Sequence, residues 1–321
     1  MSALPIVSIV IPTYSRRERV RKALLSAFAQ DLPSDRYEIF VVDSSPDDQI
    51  VSLVKELEPQ SPCALRCLVK QPEGPGPSRN LGVANARSEF IAFMDSDCEA
   101  APSWLRCGLA GFEEGVGIVQ GAIRPDPKGR PGLLTWCPTN ERESCVYECA
   151  NLFYRRVALE AAHGFPPDRD PRSDRPLGGE DATAAWNVKR LGWRSRFVGD
   201  AVVYHEIVQL TLWRWMYEKR LQSWPSLVKR FPELRQFLVA GVFLDVAQAY
   251  LVLALLGMVL APWSLYSLLL VVPYLVHHGA PPTRRLPGIL RPLRVLPLLA
   301  RDVTRLLLLT WRSVRERSVV L

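Results

Sequence analysis

The sequence predicts an α/β fold with a mostly parallel central sheet, followed by a helical region that associates with a membrane. Two observations predict the sheet. Short β-branched and apolar runs alternate with segments of helical periodicity, and acidic residues stand where several of these runs end. The helical region is predicted because apolar residues run almost unbroken after about residue 235. We therefore expect one domain over residues 1–235 and a second region over residues 236–321.

The first domain is predicted to alternate strands and helices along most of its length. β-Branched, apolar runs bounded by turn residues predict the strands, and apolar spacing of three and four predicts the helices. The predicted strands are 6–12, 37–43, 65–69, 90–94, 115–122 and 149–154, with one or two more within 193–205. The predicted helices are 17–30, 50–57, 78–87, 156–162 and 180–191. Residues 163–179 are rich in Pro, Asp and Arg and form either a mobile lid or an exposed connection.

Two acids follow the strand that begins at Phe90. Asp95 and Asp97 are two positions apart, and side chains two apart on a strand point to the same face. In open α/β sheets ligands bind beyond the carboxyl ends of the strands, and paired carboxylates suit Mg²⁺ or Mn²⁺. An Asp-rich turn without a ligand is the alternative.

Charge and cysteine content narrow the class of protein. The net charge is +7, but the basic excess is prominent among Leu-rich segments near the chain's end, which favours an anionic membrane over nucleic acid as partner. The seven cysteines show no disulfide-framework spacing, so reduced thiols are expected. The first residues lack the pattern of a secretory signal, which predicts folding in the cytoplasm.

Separate motifs in the first domain together resemble one family. They are Ser8–Tyr14, Val41–Ser45, Arg79–Gly82, Phe93–Asp97, Gly178–Asp181 and Val203–His205. In this order they resemble the family-2 glycosyltransferases of the membrane-associated bacterial type. Each motif alone is weak evidence, whereas the ordered set is specific. The resemblance implies the A-type nucleotide-diphospho-sugar transferase fold and a catalytic domain over residues 1–235.

The resemblance also implies roles for individual residues. Asp181 resembles the catalytic base, with Glu180 as its neighbour. Asp97, Asp95 and His205 resemble the ligands of Mn²⁺ or Mg²⁺. The residues implied for donor-nucleotide binding are Pro12, Thr13, Tyr14, Asp43, Arg79, Asn80 and Asp95. Those implied for the acceptor are Asn151, Trp186 and Trp215. Asn151 and Trp186 have a purely structural alternative, and for Trp215 the alternative is an interfacial aromatic cluster near a membrane.

The implied activity is metal-dependent, inverting transfer of a single sugar from a UDP- or GDP-linked donor to a lipid-linked or other glycan acceptor. Processive synthases of the family carry Gln-x-x-Arg-Trp, and here Thr211 replaces the Gln before Arg214 and Trp215. A catalytically inactive, nucleotide-sugar-binding scaffold subunit in the membrane is the alternative, and the retained acids argue against it. A nucleotidyltransferase would need a Gly-rich loop after the first strand, which this sequence lacks.

The region after residue 235 is predicted to enter a membrane. Apolar segments 237–260 and 262–279 are expected to span as a hairpin, with basic residues flanking both ends. An amphipathic helix over 298–317, with Arg301, Arg305, Arg312 and Arg315 on one face, is expected in the headgroup layer. A buried helical hairpin in a soluble protein is the alternative. The expected location is the cytoplasmic membrane, with the catalytic domain facing the cytoplasm.

Overall fold

A computed structural model of the chain describes residues 4–132, 134–167, 178–279 and 291–321. The chain divides into two units, Met1–Gln209 and Leu210–Leu321. The division falls before the change in apolar composition near residue 235. Two expectations from the sequence fall partly outside the described residues. These are residues 168–177 of the predicted loop over 163–179, and Arg284 and Arg285 of the basic residues that follow segment 262–279.

The first unit is a sheet with helices packed against it. Its strands are β1 (Val7–Thr13), β2 (Tyr37–Asp43), β3 (Ala64–Val69), β4 (Phe90–Phe93), β5 (Cys98–Ala100), β6 (Val116–Pro125), β7 (Thr135–Trp136), β8 (Leu152–Arg155), β9 (Arg194–His205) and β10 (Val208–Gln209). Its helices are α1 (Arg17–Phe28), α2 (Gln49–Leu57), α3 (Pro75–Asn85), α4 (Trp104–Ala110), α5 (Arg156–Ala161) and α6 (Glu180–Arg190).

The large sheet has the order β3-β2-β1-β4-β8-β6-β9-β5, and β7 and β10 form a separate antiparallel pair. Strands β3, β2, β1 and β4 are mutually parallel, as are β6 and β9, whereas β8 and β5 run antiparallel to their neighbours. The predicted α/β fold with a mostly parallel sheet is confirmed. The short strands β5, β7 and β10 were not predicted, because two or three residues carry too little periodicity.

The β-branched composition of β1 and β2 explains why they lie centrally. Every residue of both strands is buried, as expected where helices cover both faces of a parallel sheet. Val20 and Leu24 of α1 and Leu53 of α2 pack into the same core as Ile9 of β1. Because the parallel strands β1, β2 and β4 all end at one edge, their following loops meet there.

The second unit contains five α-helices among its described residues: α7 (Leu212–Met216), α8 (Trp224–Arg230), α9 (Val246–Leu260), α10 (Val272–Gly279) and α11 (Arg291–Glu316). Helix α9 begins only after Asp245, whose carboxylate accepts a hydrogen bond from Gln248 N (2.9 Å). Residues Leu265–Val271 form a 3₁₀ helix that leads into the eight-residue α10.

The described residues do not support the predicted membrane-spanning hairpin over 237–260 and 262–279. Helix α9 has 15 residues, or about 22 Å at the usual helical rise, against a bilayer core of about 30 Å. The second segment is divided between two helix types. Within the described residues, no helix combines the length and apolarity that crossing a membrane requires.

Helix α11 also differs from expectation in the direction that its arginines face. Arg305 forms ion pairs with Glu218 and Asp245, and buried Arg312 contacts the side-chain oxygen of Gln222. In contrast, Leu307 and Val314, on the opposite face, are exposed. Arg305 and Arg312 thus pack into the second unit and are not presented to a headgroup layer. The apolar face is divided, because Val303 and Leu306 also pack into the second unit while Leu307 and Val314 point outward.

Candidate active site

The ends of β1 and β2 present two buried polar atoms side by side. Thr13 and Asp43 are paired in the parallel register, at the last position of each strand. Asp43 is buried, and its Oδ1 accepts hydrogen bonds from the backbone N–H (2.9 Å) and hydroxyl of Ser45. Asp43 Oδ2 and Thr13 Oγ1 are also buried, yet neither has a hydrogen-bond partner among the described residues. Unpaired buried oxygens are costly, so this pair is suited to a hydrogen-bonding ligand.

The loop after β1 brings a cation to the acidic turn. Ser15 and Arg16 have φ angles of 45° and 147°, in the left-handed region that side chains disfavour. Ser15 N donates to Ser45 Oγ (2.7 Å), which ties this loop to the one after β2. Arg16 Nη1 lies 2.8 Å from Asp97 Oδ2. Tyr14 is exposed, whereas Pro12 is buried in β1.

Asp95 and Asp97 lie beyond β4 in a turn, closed by a hydrogen bond from Cys98 N to Asp95 O (3.1 Å). The alternation of side chains along a strand therefore does not apply to them, because the strand ends at Phe93. Their carboxylates have different partners. Asp95 pairs with Arg79 (3.1 Å), and Asp97 faces both Arg16 and His205.

Asp97 and His205 form the part of this turn that can hold a divalent cation. His205 Nε2 lies 3.4 Å from Asp97 Oδ1. His205 Nδ1 is 2.7 Å from the carbonyl oxygen of Glu206 and must donate to it, which leaves the Nε2 lone pair facing Asp97. A carboxylate oxygen is the ligand type that Mn²⁺ and Mg²⁺ prefer, and an imidazole nitrogen is a common ligand of transition metals. Cys98 on β5 is paired with His205 on β9 in the large sheet. This pairing places the Cys98 sulfur close to the Asp97 carboxylate and the His205 imidazole.

The Cys98 thiol is less suited to the cation. It is fully buried, and burial together with the charges of Asp95 and Asp97 raises its pKa well above the usual value of a thiol. A protonated thiol is a poor ligand because the thiolate is the coordinating form. We therefore assign the candidate cation site to Asp97 and His205, and Asp95 to a different cluster.

That cluster surrounds the start of α6. Asp181 Oδ1 accepts from Arg79 (2.6 Å), and Asp181 Oδ2 accepts from Cys149 N (2.9 Å). Arg79 also contacts Glu180 (3.0 Å) and Asp95 (3.1 Å). Burial raises the pKa of Asp181 to about 8, with Arg79 opposing the shift and the Glu180 charge adding to it. A carboxylate with a raised pKa is a stronger base than an exposed aspartate, which suits proton abstraction near neutral pH.

Other residues implied by the resemblance have structural contacts. Both polar atoms of the Asn80 side chain bond to the backbone of Phe165. Asn151 is fully buried, and its side chain bonds to Trp104, Ala122 and Ala201. Both side-chain amides thus hydrogen-bond within the protein.

Two tryptophans implied for the acceptor are likewise packed inside their own units. Trp186 is buried and donates from Nε1 to the carbonyl oxygen of Cys145 (2.9 Å). Trp215, in the second unit, is buried under the Arg301 guanidinium, 5.0 Å from its ring centre. The geometry of the described residues therefore assigns no acceptor-binding side chain among the three that the sequence suggested.

Sequence reasoning missed several contributors to the site. Ser45 orients Asp43, Arg16 pairs with Asp97, and the Cys149 backbone N–H holds Asp181. The contacts of Arg16 and Cys149 join segments distant in the chain, whereas Ser45 acts on a residue only two positions away. A backbone donor also has no residue signature. Only Cys98, directly after Asp97, could have been suspected from its position.

Comparison with known proteins identifies the family. Two sequence profiles match the chain: Glycosyl transferase family 2 over residues 8–133, and Glycosyl transferase family group 2 over residues 90–278, which is more than half of the chain. Glycosyltransferase AglE of Haloferax volcanii is 28% identical over 213 residues, covering 64% of this chain and 68% of AglE. The GalNAc(5)-diNAcBac-PP-undecaprenol beta-1,3-glucosyltransferase of Campylobacter jejuni is 29% identical over 128 residues, covering 39% of this chain and 40% of that enzyme.

A solved structure supports the fold. Mannosyltransferase PcManGT from Pyrobaculum calidifontis, in complex with GDP-Man and Mn²⁺, superimposes with a TM-score of 0.60 at 20% identity, over 95% of this chain and 88% of PcManGT. The likeness confirms the A-type glycosyltransferase fold. With the profile match over more than half of its length, this chain belongs to the family-2 glycosyltransferases.

Proposed function

We propose that this glycosyltransferase is metal-dependent and inverting, and that it moves a single sugar from a nucleoside diphosphate sugar to a lipid-linked or membrane-near acceptor. The observation that carries the proposal is the series of contacts from Asp181 through Arg79 to Asp95. Asp95 stands two residues before Asp97, which faces His205. A half-buried base candidate is thereby linked to a candidate cation site, and the two together supply a proton acceptor and a cation for the diphosphate.

The donor assignment is supported by the ends of β1 and β2. Uracil and guanine both carry ring N–H donors, and the unpaired Asp43 Oδ2 can accept one of them. Ser45 holds the other oxygen of the same carboxylate and so orients it. GDP-Man in PcManGT is a ligand of this class. Tyr14, exposed beside this pair, is available to flank the base.

Asp97 and His205 would hold Mn²⁺ or Mg²⁺, and a bound cation would neutralise charge on the diphosphate and make the nucleoside diphosphate a better leaving group. Mn²⁺ is named with PcManGT, whose fold this chain shares. Two protein groups contribute independently of the cation. The backbone carbonyl oxygen of Glu206 fixes the His205 tautomer, and the Arg16 side chain supplies positive charge at Asp97.

Asp181 would act as the base of a single displacement. The acceptor oxygen forms a bond to the anomeric carbon while its proton passes to the Asp181 carboxylate. The bond from that carbon to the diphosphate oxygen breaks, and its electron pair leaves with the nucleoside diphosphate. Attack and departure on opposite faces invert the anomeric configuration. Each Asp181 oxygen uses one lone-pair direction for Arg79 or Cys149 N and keeps another for the proton.

The proposal of a membrane-near acceptor is supported by the surface of the second unit. No charged residue occurs between Asp245 and Arg284. Exposed side chains there include Trp263 (80%), Leu265 (77%) and Tyr266 (85%). Large exposed apolar surfaces mark interaction sites, and short apolar helices can lie in the interface without crossing it. We assign this surface to the cytoplasmic face of a membrane, where nucleotide sugars are available. The named substrate of the Campylobacter jejuni relative is lipid-linked.

A panel of nucleotide sugars tests the proposed activity. The protein is titrated with UDP- and GDP-sugars by calorimetry, with Mn²⁺ or with EDTA, and incubated with glycolipid acceptors. We expect Mn²⁺-dependent binding, and transfer whose product shows the inverted anomeric configuration by NMR. Neither binding nor turnover across the panel would overturn the proposal. Slow hydrolysis of the donor without acceptor would separate an active transferase from an inactive scaffold, and a retained configuration would exclude the single displacement.

A further inference from the structure

The guanidinium of Arg79 lies at the centre of three carboxylates from two other segments. Its Nη1 contacts Asp181 Oδ1 (2.6 Å) and Glu180 Oε1 (3.0 Å), and its Nη2 contacts Asp95 Oδ1 (3.1 Å). The Arg79 side chain is 4% exposed, so these contacts are screened little by solvent. Family resemblance suggested that Arg79 binds the donor nucleotide, but its described contacts are with the acids on either side of it.

Arg79 is rigidly held in this position. It projects from α3, and its guanidinium packs 5.6 Å from the ring centre of Phe165. The neighbouring Asn80 bonds twice to the Phe165 backbone, which anchors the same turn of helix. A planar guanidinium with both ends engaged fixes the direction of each partner, which the single ammonium of lysine cannot do. Arg79 therefore sets the orientation of Asp181 relative to Asp95.

The charges in the cluster are unbalanced. One guanidinium faces three carboxylates, so ionisation of all three leaves an excess of negative charge. Burial disfavours the charge of Arg79, yet the carboxylates raise the pKa of Arg79 well above its usual value and keep it cationic. The other titratable groups beside Asp181 are Cys149 and Tyr154, and both are neutral because burial raises the pKa of each. Arg79 is thus the cation that favours ionisation of Asp181.

We propose that Arg79 is a positioning residue for the catalytic base: through its two Nη atoms it orients the Asp181 carboxylate toward the acceptor proton and sets its proton affinity. This inference rests on the proposed function, in which Asp181 accepts the proton. The Glu180 and Asp95 carboxylates compete for the same guanidinium and oppose its effect on Asp181. Removing Arg79 and removing Glu180 should therefore move the titration of Asp181 in opposite directions.

The test uses the full chain and compares Arg79→Gln, Arg79→Lys and Glu180→Gln with the wild type. The measurements are the pH profile of kcat/KM and the calorimetric affinity for the free nucleoside diphosphate with Mn²⁺. Arg79→Gln should lower kcat by about 10²-fold or more and shift the acidic limb of the profile upward by about 1–3 pH units. Arg79→Lys keeps the positive charge, so the acidic limb of the pH profile should return to its wild-type position. Its kcat should stay low, because lysine lacks the forked guanidinium that orients the carboxylates. Nucleotide affinity should fall far less than kcat, since the Nη atoms of Arg79 contact the acids beside the base and not Thr13 or Asp43 at the proposed base site.

The variant Glu180→Gln covers the case in which Arg79 variants fail to fold. It keeps the shape of the side chain and removes one competing charge, so its acidic limb should move to lower pH. The exposed Arg87→Gln, two residues after the end of α3, is the matched control and should leave both measurements unchanged.

Two results would overturn the inference. One is an acidic limb that stays in place in both Arg79→Gln and Glu180→Gln. The other is a loss of nucleotide affinity in Arg79→Gln that matches the loss of kcat, which would place Arg79 on the donor. An inactive wild type that binds no nucleotide contradicts the proposed function itself, a result distinct from both.

Discussion

Thr13 and Asp43 stand opposite each other at the ends of adjacent parallel strands, and each keeps a buried oxygen without a hydrogen-bond partner among the described residues. Two such atoms at one sheet edge are unusual, since buried polar groups are nearly always paired. The parallel register explains their proximity, because β1 and β2 have the same length and are paired from their first residue to their last. The pair marks the edge at which a nucleotide base would find complementary acceptors.

Changing Asp43 to Asn should weaken binding of UDP or GDP by about 10- to 100-fold, because a hydrogen bond to a charged acceptor contributes about 1.5–3 kcal/mol. The amide keeps the size of the carboxylate but can turn an N–H toward the N–H of the base. Calorimetry with the free nucleotide measures the effect. The exposed Asp48→Asn is the control, and equal affinity of the two variants would remove Asp43 from the base site.

Losing a residue that only supports a metal ligand typically weakens metal affinity by about 10–100-fold. Changing Asp97 to Asn, or His205 to Gln, removes a proposed ligand itself and should weaken Mn²⁺ binding by more than this. Cys98→Ser should leave Mn²⁺ affinity near that of the wild type, because thiolates select softer metals than Mn²⁺, which prefers oxygen ligands. Electron paramagnetic resonance of free Mn²⁺ gives the affinities without any turnover. A large loss in Cys98→Ser with none in His205→Gln would reassign the site.

The rate of transfer should depend on the ionised form of Asp181, whose pKa is raised to about 8 mainly by burial. Since the base is the carboxylate, kcat/KM should fall about tenfold per pH unit below that value and level off above it. Asp181→Asn should lower kcat by about 10²–10⁴-fold while nucleotide affinity persists. A profile that is flat from pH 6 to 9, or near-normal turnover by Asp181→Asn, contradicts the assigned role.

Asn151 should matter for stability and not for the acceptor. Its side-chain nitrogen donates to Ala122 O (2.8 Å) and Ala201 O (2.7 Å), and its oxygen accepts from Trp104 Nε1 (2.8 Å). Asn151→Ala leaves these buried groups unpaired and should lower the free energy of unfolding on the order of 3 kcal/mol. Denaturant unfolding measures this, with the exposed Asn85→Ala as control. An unchanged stability with a raised KM for acceptor would restore its predicted role.

The exposed apolar surface of the second unit should bind anionic lipid vesicles. Replacing Trp263, Tyr266 and Leu269 together by Ser removes large apolar side chains from the proposed interface. The fraction of protein that cosediments with the vesicles should fall for this triple variant. The control changes Val69, Val157 and Leu191 to Ser, which are also exposed but lie in the first unit, and its cosedimentation should not fall. Equal sedimentation of both variants with the wild type would contradict the proposed contact.

Much of the first unit was readable from the sequence because the relevant signals are local. The apolar, β-branched composition of β1 and β2 specified buried parallel strands, and their ends located Thr13 and Asp43. The ordered motifs also named Asp97, His205 and Asp181. What these residues touch was not readable. Hydrogen-bond partners such as the Cys149 N–H and the Glu206 carbonyl are backbone groups, identical in every residue type.

Tertiary packing alone decided the role of Arg79 and the form of the second unit. Arg79 was expected at the nucleotide and is held among the acids near the base, because the start of α6 packs against α3's side chains. An apolar run predicts burial in either lipid or protein, so it could not reveal that Asp245 caps a 15-residue helix. Helical periodicity likewise defines two faces of α11 without saying which one packs inward. The ion pairs of Arg305 with Glu218 and Asp245, formed between distant segments, settle that direction.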